Sequence, residues 1–177
     1  MITTTRLILR KPKPEDAAAF FKVYSHREAM RYWSTPPHSD IEETVKVIEN
    51  SIRGWETKDY YDFSIQLAQG QSVIGKAALH NIHKSSRRAE VGYLLSPDYW
   101  GQGYMKEAMT ALIEHAFGAL EMRRLEADID PDNAASRALL ERLSFRKEGE
   151  LRERWEIGGK ITDSHLYGLL ARDWQGP

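Results

Sequence analysis

The spacing of apolar and polar residues changes along the chain, and each change predicts a different element. Arg6-Leu7-Ile8-Leu9-Arg10 is a short β-type run, ended by Pro12 and Pro14. Pro14-Glu15-Asp16 then opens a helix, since Pro suits a first turn and acids there oppose the positive end of the dipole. That helix carries Ala18, Phe21, Val23 and Tyr24 and is expected to run to about Arg31. Ser34 to Ser39 is a loop. Asp40 or Ser39 caps a second helix with Val45, Ile48 and Ile52 on one stripe. Phe63 to Leu67 then alternates with the period of a half-buried strand. Gly70-Gln71 is a turn, Ser72 to His80 a strand, His83 to Arg87 a polar hairpin loop, and Ala89 to Leu95 a third strand. Tyr104 to Leu120 returns to helical spacing, with Ala108, Leu112, Ala116 and Leu120 on one face. A strand over Arg124 to Ile129, a helix over Asn133 to Leu143, and strands around Phe145–Glu156 and Lys160–Leu170 complete the chain. The order predicts a mixed α/β (α+β) fold with a largely antiparallel sheet.

Composition narrows the function classes. A length of 177 residues, without repeat or long linker, suits one domain spanning 1–177. Zero Cys excludes disulfides, thiolate zinc sites and a Cys nucleophile, and fits a reducing compartment. With 25 basic against 26 acidic residues, no bulk charge draws the chain to nucleic acid. No uncharged apolar run reaches the ~20 residues of a membrane span, and the start Met1-Ile2-Thr3-Thr4 lacks a signal-peptide core. The expectation is a cytoplasmic protein with no membrane and no nucleic-acid partner.

Two glycine patterns fall short of the nucleotide motifs they approach. Gly70 to Lys76 nearly matches a phosphate-binding loop, but Ala77 stands where a Mg²⁺-holding Ser or Thr belongs, and the segment reads as strand. Gly101-Gln102-Gly103 lacks the third glycine of a dinucleotide turn, since Lys106 stands there. His80 and His83 have no companion ligands and read as ordinary surface histidines, so no metal is expected. What remains is a strand, a short loop, Trp100-Gly101-Gln102-Gly103-Tyr104-Met105, and a long helix. Unpartnered N–H groups at a helix start, with glycines that let a ligand approach, make an anion site suited to pyrophosphate. A second segment, Asp132-Asn133-Ala134-Ala135-Ser136, reads as a helix cap followed by a first turn.

Together these segments resemble the GNAT superfamily of acetyl-CoA-dependent N-acetyltransferases, and most of all its RimJ/RimL branch, which acetylates N-termini of ribosomal proteins. The likeness runs from Thr5–Arg10 through Ala89-Glu90-Val91-Gly92-Tyr93 and Tyr99–Tyr104 to Asp163–Tyr167. It implies a seven-stranded sheet flanked by about four helices, with splayed central strands. It also implies that Trp100, Gly101, Gln102, Gly103, Tyr104 and Met105 form the CoA turn. The backbone of Tyr93, Leu94 and Leu95 would pair with the pantetheine arm as an added strand, and Asn133 would contact that arm. Glu90 is the implied base, directly or through water, with an ordinary salt bridge to Arg87 or Arg88 as the competing use of that carboxylate. Ser136 is the implied acid for the departing thiolate, or else makes a local backbone bond. The sequence departs from the family in three places: Leu140 where many members carry a Tyr acid, Ser144 where Gly is usual, and Met105 for a small residue.

The acceptor would lie between the first two helices and the final hairpin, where Tyr32, Trp33 and Trp155 fall; core packing is the alternative use of each aromatic. The resemblance implies direct acetyl transfer to a primary amine. The acceptor is a (ribosomal) protein N-terminus or a small amine such as a polyamine, amino acid or antibiotic, and a non-catalytic CoA-binding domain is the third alternative. Monomer and homodimer are both open. Trp55 and Trp174 have no assigned part.

Overall fold

A computed structural model describes residues 1–176; Pro177, the last residue of the expected domain, lies outside them. The strands are β1 (Ile2–Thr3), β2 (Leu7–Arg10), β3 (Tyr61–Leu67), β4 (Val73–His83), β5 (Arg88–Leu95), β6 (Arg124–Ile129), β7 (Arg146–Ile157) and β8 (Lys160–Leu170). The helices are α1 (Ala17–Tyr24), α2 (Ile41–Thr57), α3 (Tyr104–Gly118) and α4 (Ala134–Arg142). All eight strands form one sheet in the order β1-β2-β3-β4-β5-β6-β8-β7. The eighth strand, absent from the sequence expectation, is β1, whose two residues are too few to show alternation. Neighbours run antiparallel except β5 and β6, which are parallel.

Period-two alternation divides the sheet between two helix layers. Leu7, Leu9, Phe63, Ile65, Ala77, Leu79, Ala89 and Val91 face α3 and α4, packing with Met109, Leu112, Ile113 and Leu140. Leu94 faces the other way and packs with Phe20, Val23 and Tyr24 of α1 and Ile48 of α2. The α1–α2 side also buries polar groups, each with a partner. Arg10 donates to both Asp16 oxygens at 2.8 and 2.7 Å, and Ser64 donates to the same carboxylate at 2.8 Å. Lys76 meets Asp62 at 3.0 Å, and Ser51 donates to Asp62 at 2.5 Å. Burial alone would pull the Lys76 ammonium down, but Tyr24 and Asp62 outweigh it and hold the lysine charged.

One boundary differs from expectation in a way that shapes the site. α1 stops at Tyr24 rather than near Arg31. Ser25 to Glu28 are polar and exposed, so no apolar face sustains another turn. The Ser25 hydroxyl bonds back to the Phe21 carbonyl at 2.6 Å. The chain then turns, buries Met30 and carries Tyr32 and Trp33 across the sheet. Trp55 has a structural part: it meets Tyr61 and Phe63 edge-on, and its indole donates to the Asp62 carbonyl at 2.6 Å. Trp174 packs against the main core.

Candidate active site

The start of α3 is built to leave its N–H groups free. Gly101 and Gly103 hold φ of +71° and +79°, the left-handed region that favours glycine. Gly103 is the N-cap and brings no side chain to the first turn. By contrast, Asp40 caps α2 through Glu43 N–H at 3.0 Å, and Asn133 caps α4 through Ser136 N–H at 3.0 Å. The turn is pinned from outside. The Trp100 indole donates to the Leu95 carbonyl at 2.9 Å, and the Gln102 amide donates to the Asp98 carbonyl at 3.0 Å. Arg6 donates to the Gln102 carbonyl at 3.0 Å, covers the Tyr104 ring at 4.3 Å and pairs with Glu107 at 2.6 Å. Thr4 donates to the same Glu107 carboxylate at 2.6 Å. Burial works against that carboxylate's charge, but the Thr4 and Arg6 bonds outweigh it and hold its pKa below the usual value. Arg6 and Glu107 were not foreseen as turn supports; 101 residues separate them, and no local spacing signals the pair. Met105 turns its side chain toward the main core.

The second part of the site is a gap in the sheet. β5 and β6 pair only at Arg88–Arg124, Ala89–Leu125 and Glu90–Glu126. Beyond that point β6 stays with β8 and β5 with β4, so the two strands part as the resemblance implied. A cleft of about 440 Å³ opens there. Glu90, Tyr93, Asn133, Ser136, Tyr32, Trp33 and Trp155 all line it. Leu94, Leu95 and the Trp100–Met105 turn are not among its lining residues. The Leu95 carbonyl is already taken by Trp100, which leaves one acceptor fewer on this strand than expected.

The two faces of β5 present different chemistry to the cleft. On the α1–α2 side lies Glu90. Of the two arginines in the competing salt-bridge reading, Arg88 pairs with Glu126 at 2.8 Å, and Arg87 forms no ion pair with Glu90 among the described residues. The one titratable partner within 4 Å of Glu90 among the described residues is the His80 ring, 3.9 Å away across the strand pair. Gly92 makes room for that ring: a Cβ there would sit 3.2 Å from His80 Nε2. His80 is therefore a cleft residue, not the ordinary surface histidine the sequence suggested. Its partner in that reading, His83, instead accepts a 3.2 Å bond from Ser86 N–H. Burial holds the His80 pKa below its usual value against the opposing pull of Glu90.

On the α3–α4 side lie Tyr93, Asn133 and Ser136. The Asn133 side-chain oxygen is committed to the cap. The Tyr93 hydroxyl is buried without a well-formed hydrogen bond. Burial pushes it up to about 12, and Ser136 beside it pulls the other way. Leu140, at the family's Tyr position, is fully buried in the main core. Ser144 is exposed at φ +65°, so the usual Gly there has been replaced at a cost in backbone strain.

The end of the cleft where the acceptor is expected carries mixed charge. Glu90, Asp128, Asp130 and Asp163 line it, and so do Arg31, Arg154 and Lys160. Arg154 and the Trp155 indole both approach Asp128, at 3.7 and 3.5 Å. Trp33 packs edge-on to Tyr24 and walls the cleft on one side. Its far side walls a second groove of about 420 Å³, with His38 and Lys46.

Residues 6–146 match the family described as the Acetyltransferase (GNAT) domain. The chain is a GNAT acetyltransferase. This acetyltransferase is 34% identical over 177 residues to the uncharacterized N-acetyltransferase p20 of Bacillus licheniformis, covering 98% of this chain and 97% of the relative. It is 27% identical over 186 residues to the ribosomal protein uS5-alanine N-acetyltransferase of Escherichia coli, covering 98% and 92%. The solved spermidine N-acetyltransferase of Vibrio cholerae, in complex with CoA and spermine, superposes with a TM-score of 0.84 at 22% identity, over 96% of this chain and 98% of that one. Acetyl-CoA is the acetyl donor of this GNAT acetyltransferase. The uncapped start of α3 suits its pyrophosphate, and the unpartnered Tyr93 hydroxyl stands where β5 and β6 part. Among the described residues no group of three or more His, Asp or Glu side chains gathers as metal ligands would. No helix among them is long and apolar enough to cross a membrane.

Proposed function

We propose that this acetyltransferase acts on the N-terminal α-amine of a protein, as the RimJ/RimL branch does on ribosomal proteins, in the cytoplasm. The mixed charge at the acceptor end carries this reading. A polyamine has several cationic centres and calls for carboxylates alone. Here Arg31, Arg154 and Lys160 stand among the four acids, which suits a ligand with one ammonium and a polar chain behind it. The groove beyond Trp33 supplies room for that chain. The E. coli relative that acetylates ribosomal protein uS5 supports the same acceptor class.

In this mechanism the N–H groups of Gly101 to Met105 hold the pyrophosphate. The β5 backbone at Tyr93, Leu94 and Leu95 pairs with the pantetheine arm, and the Asn133 amide nitrogen, free of the cap, donates to it. Tyr32, Trp33 and Trp155 enclose the acceptor. An α-amine with a pKa near ~7.7–8.0 must lose a proton before it can attack. Glu90 takes that proton, directly or through one water, with His80 beside it as a neutral imidazole. The amine nitrogen bonds to the acetyl carbon and gives up its second proton to solvent, the C–S bond breaks, and sulfur leaves with the electron pair. Ser136 passes a proton to the thiolate and takes one from solvent in return.

The small-amine alternative draws on the four carboxylates and on the spermidine enzyme of the same fold. An assay of acetyl-CoA consumption against peptides with free N-termini, beside spermidine and other small amines, separates the two. Turnover of peptides is expected; turnover of a small amine with every peptide inert would reverse the assignment. Glu90→Gln should lower kcat by ~100-fold with acetyl-CoA affinity unchanged, and an unaltered kcat across pH would remove Glu90 as base.

A further inference from the structure

Among the described residues that line the cleft, the Tyr93 hydroxyl is the buried side-chain group left without a hydrogen bond, and the mechanism has no use for it. A buried hydroxyl without a hydrogen bond is expensive, and a Phe ring would fill the same space without that cost. Tyr93 packs its ring against the main core and places its oxygen beside Ser136, at the wall of the cleft. Glu90 and Tyr93 are three residues apart on one strand, so their side chains leave it on opposite faces. The amine and its proton acceptor occupy the α1–α2 face. The α3–α4 face, where the Tyr93 oxygen lies, is then left for the sulfur. Resting on the assignment of acetyl-CoA to this gap, we propose that the Tyr93 hydroxyl donates a hydrogen bond to the thioester sulfur as it leaves, and stabilises the thiolate without giving up its own proton.

The acidities explain why the proton stays. Burial pushes Tyr93 up to about 12, whereas an ordinary thiol ionises near ~8.5. Full transfer from Tyr93 to the thiolate would be uphill by roughly three powers of ten. A neutral, fixed donor aimed at a developing anion stabilises it with no reorganisation. In the free protein the oxygen has Ser136 beside it but no well-formed hydrogen bond, so it can turn to a partner that arrives with the ligand. The proton comes from solvent, relayed through Ser136 in one concerted step so that no alkoxide forms, and no further group is consumed.

The test is Tyr93→Phe, read three ways. First, the free variant should melt at or above the wild-type temperature, because an unsatisfied buried hydroxyl has been removed; a purely structural tyrosine would melt lower. Second, kcat should fall at least tenfold while acetyl-CoA affinity changes less than twofold. Third, the bound CoA thiol should ionise about one pH unit higher in the variant, followed by ultraviolet thiolate absorbance. The chain has no Cys, so no protein thiol contributes, and each ligand-free protein titrated alongside removes the tyrosine signal. Equal thiol pKa values in the two CoA complexes, or an unchanged kcat, would overturn the proposal while leaving the acetyl-CoA site standing. Failure of CoA to bind either protein would remove both.

Discussion

Gly101→Ala separates what the α3 turn does for the fold from what it does for the ligand. Gly101 holds φ +71°, and a Cβ built there meets no atom within 4 Å. The substitution is therefore free of clash in the unliganded protein, and its cost is backbone strain of about 1–2 kcal/mol. For a chain of this size each kcal/mol moves Tm by roughly 2–4 °C, so the free variant should melt about 2–8 °C lower. Gly70→Ala is the matched control. Gly70 has φ +78°, also with nothing within 4 Å of its Cβ, but it sits in the β3–β4 turn. The two variants should lose similar stability without ligand and differ with it. If the pyrophosphate lies against the Gly101 backbone, the methyl intrudes on it. A tenfold weaker Kd then removes about 1.4 kcal/mol of ligand-linked stabilisation at fixed excess acetyl-CoA. Thermal melts across an acetyl-CoA titration would show the Gly70 variant gaining as much as wild type and the Gly101 variant gaining about 3–6 °C less. Equal gains in both variants would refute the placement of the pyrophosphate at this turn.

Four further outcomes follow from the same geometry. Lys76→Met strands the buried Asp62 carboxylate and should cost about 3–5 kcal/mol in urea unfolding, more than the double variant with Asp62→Leu, which leaves no lone charge. At Asp16 burial alone would raise the pKa, but Arg10, Lys13 and Ser64 outweigh it and hold the folded value below 3.8. Its contribution is full above that value and lost as pH falls through the lower folded one, so Asp16→Asn should be less stable at neutral pH and show a shallower acid loss in urea titrations. Asn133→Ala should cost about 1 kcal/mol of stability through the lost cap and also raise KM for acetyl-CoA, whereas Asn133→Ser should restore the stability and not the KM. Ser144→Gly, relieving φ +65° at an exposed site, should raise stability by about 1 kcal/mol in the same urea assay.

Features that depend on local period were legible in the sequence. The alternation at Ala89–Leu95, the helical spacing from Tyr104 and the cap at Asn133 each rest on neighbours within one or two turns, and each stands where expected. Features that depend on register were not. His80 enters the cleft because β4 and β5 pair it opposite Glu90, and no spacing within β4 records that pairing. α1 ends at Tyr24, short of the expected Arg31, for a related reason: Met30 is buried as a helical residue would be, but through turns of the backbone. The Arg6–Glu107 clamp lay out of reach because it joins the first strands to the cofactor turn across most of the chain.

The gap between β5 and β6 has a length that its own ends define. An unpaired strand edge in a protein interior is costly, since each buried N–H or C=O without a partner forfeits about 1–3 kcal/mol. β6 accepts this along β5 because it keeps a six-residue ladder with β8 and shares only three pairs with β5. The open edge begins after Glu90, where the last parallel pair forms, and ends at Leu95, whose carbonyl is closed by the Trp100 indole. Val91 to Leu94 are left, about 13 Å of extended backbone at ~3.3 Å per residue. Trp100 therefore belongs to both halves of the site: its indole terminates the strand edge, and its backbone leads directly into the α3 turn. The open edge therefore runs from Glu90 and Tyr93, which leave β5 on opposite faces, to the Trp100 indole that leads into the uncapped start of α3.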